Sequence, residues 1–190
     1  MGFLDWLEKG DVQEVRKCLQ QGADVNTRGF GHTPLIYAIR GWNREEYKQI
    51  VKLLLEYGAD VNLSDWVGNT PLLATIFGGG GYEALKLLLE YGVDVESNGQ
   101  AVTKYTPLMC AARNGKSKVV KLLLENGVDI EAKDFEGKTA LKTATLWKRT
   151  ETAKILKDEI KWRKQVKMAR YTLLRHTNFH LALEISLRLN

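Results

Sequence analysis

The stretch with the most suggestive chemistry is Phe77-Gly78-Gly79-Gly80-Gly81-Tyr82-Glu83-Ala84, which feeds directly into the leucine-rich block Leu87-Leu88-Leu89. A glycine-rich turn ahead of a helix is a recurrent phosphate cradle, because backbone N–H groups and the positive helix end both face the anion. A phosphate loop of that kind, however, follows a β-strand and carries Gly-Lys-Ser/Thr. No strand pattern precedes these glycines, and no lysine follows them until Lys86. An inter-helix turn is the expectation. Nucleophilic and metal chemistry have little more to draw on. His176 and His180 stand at helical i, i+4 spacing, but no His-Glu-x-x-His surrounds them, so they read as a surface pair. Cys18 and Cys110 are far apart and fall at apolar positions of the pattern, with Cys18 expected in the core. No carboxylate pair stands out for acid–base work. Catalytic residues, metal, cofactor and small-molecule substrate are all expected to be absent.

The elements that hold these residues are announced by punctuation. The three prolines, Pro34, Pro71 and Pro107, each lie in Thr-Pro-Leu, and Thr139-Ala140-Leu141 is a fourth copy without proline. Threonine can accept a hydrogen bond from an orphan N–H at a helix start, and proline at the first helical position sacrifices nothing. After each start comes an apolar block, Leu53-Leu54-Leu55, Leu87-Leu88-Leu89 or Leu122-Leu123-Leu124. A stop then follows: Gly58-Ala-Asp-Val-Asn62, Gly92-Val-Asp-Val-Glu96 or Gly127-Val-Asp-Ile-Glu131, with Gly22-Ala-Asp-Val-Asn26 ending an earlier unit. Glycine suits that stop because it adopts the left-handed conformation that side-chained residues resist. Each unit is thus a capped helix, a turn, a second helix, a glycine stop and an extended loop to the next cap.

Thr-Pro-Leu, the leucine block and Gly-Ala-Asp-Val-Asn, recurring over roughly residues 10–145, resemble the ankyrin repeat. The resemblance implies an all-α solenoid of stacked helix-turn-helix units with projecting hairpin loops. Five units are expected over 1–160 (about 1–26, 27–62, 63–96, 97–131 and 132–160), followed by a basic C-terminal extension, 161–190, as a capping helix or helices. The histidine that the family places after Thr-Pro-Leu is replaced by Ile36, Leu73, Met109 and Lys142, so its polar network is missing or remodelled. The resemblance also implies that a partner protein docks on the loop tips and the concave ends of the first helices. Carried over position by position, those sites are Phe30, His32, Trp66, Val67, Asn69, Tyr105, Phe135, Glu136 and Lys138 on the loops. At the first-helix ends they are Arg40, Phe77, Arg113, Leu146 and Trp147. Aromatic and arginine residues are enriched among interface hot spots, which favours a protein-binding role, although the rings could instead fold back on neighbouring loops. Specificity is expected from the extra residues around Trp42–Tyr47 and from the lengthened loop Ser97–Tyr105.

Charge divides unevenly. The chain carries a formal net charge of +5, but residues 161–190 hold seven Lys/Arg and one Glu, which leaves 1–160 near neutrality. Lys154, Lys157, Lys161, Lys164 and Lys167 line one helix face, widened by Arg163 and Arg170, while Leu156, Ile160 and Val166 are free to face the solenoid. The plain reading is the polar outer side that a terminal helix needs. The alternative is a stripe that attracts nucleic acid, an anionic membrane or an acidic protein. From Leu181 onward, apolar and other residues alternate as in a strand, yet Leu, Ala and Glu favour helix; a second helix folding back from Asn178 is the expectation. With no stretch of 18 apolar residues, no basic-apolar leader and only two cysteines, an intracellular protein, cytoplasmic or nuclear, is expected.

Overall fold

A computed structural model describes residues 2–29, 31–78, 80–98 and 105–188, with 173–188 described by their backbone alone. Among these, ten helices form five consecutive pairs. They are α1 (Phe3–Lys9) with α2 (Val12–Gln20), α3 (Pro34–Arg40) with α4 (Glu45–Glu56), α5 (Pro71–Phe77) with α6 (Gly81–Glu90), α7 (Pro107–Asn114) with α8 (Ser117–Glu125), and α9 (Ala140–Leu146) with α10 (Thr150–Arg188). The first helices stack in order, α1 on α3, α3 on α5, α5 on α7 and α7 on α9, while α2 meets α4, and α8 meets both α6 and α10. The architecture is the all-α repeat stack that the punctuation implies.

The caps form as their chemistry requires. Thr33, Thr70, Thr106 and Thr139 each accept a hydrogen bond on Oγ1 from the third residue on, at 3.3, 3.2, 3.3 and 3.4 Å. The helix stops Gly22, Gly58, Gly92 and Gly127 have φ between +77° and +88°, which a side chain would strain. The Asp and Asn/Glu beyond each stop knit the units together. Asp60 N–H donates to Asn26 Oδ1 and Asp94 N–H to Asn62 Oδ1, both at 2.8 Å, and Asp129 N–H donates to Glu96 Oε1 at 2.6 Å. One side-chain oxygen of each unit therefore satisfies a backbone donor of the next.

The core is one continuous strip of the faces between layers, with Leu35, Ile39, Leu54, Leu72, Ile76, Leu88, Leu108 and Leu123 fully enclosed. Gly78 and Gly80 lie between α5 and α6, as expected, and packing accounts for both. A Cβ on Gly80 would lie 3.2 Å from the Trp42 ring and 2.4 Å from Ala84 Cβ, and one on Gly78 would lie 2.6 Å from the Ala74 carbonyl oxygen. Trp42 belongs to the extra residues of the second unit, which were expected to present a specificity loop. Instead Trp42 and Tyr47 are buried, and the Tyr47 hydroxyl donates to the Glu8 carbonyl at 2.8 Å. The insertion fills the core and ties the second unit to the first. Cys110 is buried, whereas Cys18, expected in the core, is only half-buried.

The C-terminal end differs from expectation more. α10 is one helix of 39 residues, about 58 Å at 1.5 Å per residue, with no break at Asn178 and no second helix folding back. Leu156 is fully buried and Ile160 packs at the core margin, but Val166 is exposed rather than turned to the stack. Arg163 does not widen the basic face. Its guanidinium donates to the Leu124 and Val128 carbonyl oxygens, both at 3.2 Å, and to Glu159 at 2.8 Å. A cation thereby meets one carbonyl in the last turn of α8 and one in the return turn beyond it, where the helix dipole favours positive charge. From Lys164 to Thr172 every side chain is exposed, so α10 has left the stack.

Candidate protein-binding face

Two rows of side chains on the first-helix side merit attention, one on the hairpin tips and one at the helix ends. The tips are built by buried aspartates. Asp65 Oδ1 accepts the Val67 and Asn69 N–H groups at 3.1 and 2.8 Å, and Asp134 Oδ1 accepts those of Glu136 and Lys138 at 2.9 and 2.8 Å. With its backbone donors drawn inward, each tip presents the residue after its aspartate to solvent: Trp66 is 67% exposed and Phe135 66%. Val67 is exposed beside Trp66. Successive tips touch, since Trp66 N–H meets the Gly31 carbonyl at 3.4 Å.

The helix-end row is Arg40, Phe77, Arg113 and Leu146-Trp147. Phe77 is 58% exposed and Trp147 47%. The Arg113 guanidinium lies over the Trp147 ring at 4.4 Å, a cation–π arrangement that orients both groups, and Arg149 Nε donates to the Arg113 carbonyl at 2.9 Å. A polar chain that the sequence pattern did not disclose joins the two rows. Arg40 Nη1 donates to His32 Nε2 at 2.8 Å, and His32 Nδ1 lies 2.8 Å from Asp65 Oδ2. The arrangement requires the neutral tautomer with its proton on Nδ1, donating to the carboxylate. Asp65 also accepts from the Asn69 side chain at 3.0 Å. Burial pushes the Asp65 carboxyl up, but the bonds from Asn69, His32 and Val67 outweigh it and hold the carboxyl below its usual 3.8.

Several expected contact residues thus have internal work. His32 uses both ring nitrogens within the chain, Asn69 gives its amide to Asp65, and Lys138 pairs with Glu136. Tyr105 is half-buried against the core. Trp66, Val67, Phe77, Phe135, Leu146, Trp147 and Arg113 remain accessible on one side. Phe30, most of the lengthened loop after Ser97, and the His176 and His180 side chains lie outside the described residues. On α10, Lys154, Lys157, Lys161, Lys164 and Lys167 are exposed. Among the described residues no His/Cys/Asp/Glu group could hold a metal ion, and no helix is long and apolar enough to cross a membrane.

Stacked helix pairs joined by hairpin tips define a helical repeat protein. The matching family model is that of ankyrin repeats in three copies, which fits residues 7–99 and again 74–166. The chain belongs to the ankyrin repeat family, whose repeats are in general protein-interaction modules. Two curated relatives share segments of it. A Rickettsia bellii (strain RML369-C) protein named for its ankyrin repeats is 33% identical over 73 residues, 35% of this chain and 41% of that protein. The 2-5A-dependent ribonuclease of Mus musculus is 36% identical over 55 residues, 28% of this chain and 8% of that enzyme. The chain therefore spans less than half the length of the first and a small part of the second.

Proposed function

We propose that this protein is a non-catalytic adaptor that binds a partner protein through its hairpin tips and first-helix ends. One observation carries the reading: Trp66 and Phe77 in the hairpin and first helix of the third pair, and Phe135 and Trp147 at the same places in the fifth, are among the most exposed aromatic groups of the stack. Large apolar groups left exposed at such positions suit an interaction site, and aromatic anchors supply most of the binding energy of an interface. Arg113, held over Trp147, adds a charged group already fixed in orientation. Affinity capture from the source-cell lysate tests the reading. The wild type is expected to retain a partner that Trp66→Ala/Phe135→Ala loses while its helical circular dichroism is unchanged; equal retention would place binding elsewhere.

A second reading has one observation in its favour, the departure of α10 from the stack beyond Arg163 with Lys164, Lys167 and Arg170 exposed. In that reading a polyanion meets the basic helix. Retention on heparin that survives Lys161→Gln/Lys164→Gln/Lys167→Gln would dismiss it.

A further inference from the structure

The near-neutral charge of the repeat stack conceals a separation between its two sides. The hairpin and first-helix segments, 1–10, 27–44, 63–80, 97–116 and 132–149, hold twelve Lys/Arg and five Asp/Glu, a net of +7. The second helices with their return turns, 11–26, 45–62, 81–96 and 117–131, hold seven Lys/Arg and fourteen Asp/Glu, a net of −7. The fold sharpens this contrast. Of the acidic groups on the basic side, Asp65 and Asp134 are buried beneath their own loops, Glu136 is paired with Lys138, and Asp5 and Glu8 lie on α1 at the N-terminal end of the stack. Arg40, Arg113, Lys133, Lys142, Lys148 and Arg149 are exposed.

The cations are not spread evenly. Segment 63–80, in the middle of the stack, contains no Lys or Arg and contributes Trp66, Val67 and Phe77 instead. The face therefore reads as an apolar centre with basic flanks: Arg40 on the N-terminal side, Arg113, Lys133 and Lys142 on the C-terminal side. From this pattern we infer that the partner segment is an acidic polypeptide stretch in which Asp or Glu residues flank apolar side chains. The inference rests on the protein-binding reading above and adds the chemistry of the partner. Opposed charge steers encounter and excludes wrong partners, while buried apolar anchors hold the complex. A single-stranded nucleic acid is the poorer occupant, because its phosphates call for an unbroken basic track along the groove. The central hairpin and first helix, with no Lys or Arg and with the Asp65 carboxylate, interrupt that track.

Panning a phage library of random 16-residue peptides against the wild type, Trp66→Ala/Phe135→Ala and Arg113→Glu/Lys142→Glu tests the inference. Enriched peptides are expected to carry an excess of Asp and Glu around apolar residues. Synthesised, they are expected to bind the wild type about tenfold or more tighter than Arg113→Glu/Lys142→Glu, with an on-rate that falls as salt rises. Neutral or basic peptides that still depend on Trp66 and Phe135 would overturn the charge inference and leave the protein-binding face standing. If no enriched peptide depends on Trp66 and Phe135, both fail. A 20-nucleotide oligothymidylate that displaces the peptides and loses affinity in Arg113→Glu/Lys142→Glu would overturn the inference in favour of nucleic acid.

Discussion

Replacing Asp65 by alanine removes the acceptor on which one hairpin tip is built. Four bonds end on this carboxylate: Val67 N–H at 3.1 Å, Asn69 N–H at 2.8 Å, the Asn69 amide at 3.0 Å and His32 Nδ1 at 2.8 Å. Hydrogen bonds to a charged group contribute about 1.5–3 kcal/mol each. The Asn69 amide and the His32 ring sit at a half-buried rim where water replaces part of what they lose, so the sum is discounted to about 3 kcal/mol overall. For a chain of this size that corresponds to a fall in Tm of roughly 6–12 °C. Asp134→Ala serves as an internal comparison, because that carboxylate accepts the equivalent two backbone bonds, at 2.9 and 2.8 Å, without the rim partners; its loss should be only slightly smaller. Thermal denaturation followed by circular dichroism at neutral pH measures both. The pH dependence follows from the depressed Asp65 carboxyl. Its stabilisation is complete above the ordinary value of 3.8 and is lost as pH falls through the lower folded value, so the gap between wild type and Asp65→Asn should narrow below pH 3.8. An Asp65→Ala protein melting within about 1 °C of wild type would refute the role assigned to these bonds.

Three further outcomes are expected. Gly78→Ala forces a Cβ to 2.6 Å from the Ala74 carbonyl oxygen and should destabilise the protein by about 1–3 kcal/mol in urea denaturation. Leu156→Ala empties a fully buried site between α10 and the stack and should lose about 2–5 kcal/mol by the same measurement. Burial pushes the Cys110 thiol up to about 11, whereas Cys18 is half-buried. A thiol reagent at pH 8 should therefore label Cys18 first and Cys110 only as the chain unfolds. Because the folded Cys110 holds its proton longer than the unfolded one, its contribution to stability declines as pH rises above 9.0.

The repeat was legible because its caps are local chemistry. A threonine before proline and a glycine after the leucine block specify where helices begin and end without reference to the rest of the chain. Trp66 and Phe135 were legible for the same reason, since the aspartate beneath each tip fixes which residue faces outward. Long-range packing was not legible. Nothing within Trp42–Tyr47 announces that Trp42 packs over Gly80 of the next unit or that the Tyr47 ring closes over Gly41 and reaches Gly10, and an insertion reads as a loop when its partner is unseen. Arg163 reads as one more surface cation until the Leu124 and Val128 carbonyls appear opposite it. The alternating apolar residues after Leu181 suggested a strand or a separate helix, but the helix already running through Asn178 overrides that local pattern. The Arg40–His32–Asp65 chain left one faint trace: His32 precedes its capping threonine by one residue, and Asp65 follows 33 residues later, near the repeat length. The separation of charge between the two sides becomes visible only when residues are counted by segment of the repeat rather than along the chain.

The central claim, that partners meet the first-helix side, is tested most directly by site-specific photocrosslinking. Benzoylphenylalanine is placed at Phe77, in the helix-end row, or at Tyr91, an exposed ring just beyond α6 on the opposite layer. Light-dependent adducts with a protein from the source-cell extract are expected at position 77 and not at 91. Adducts at 91 with none at 77 would contradict the account.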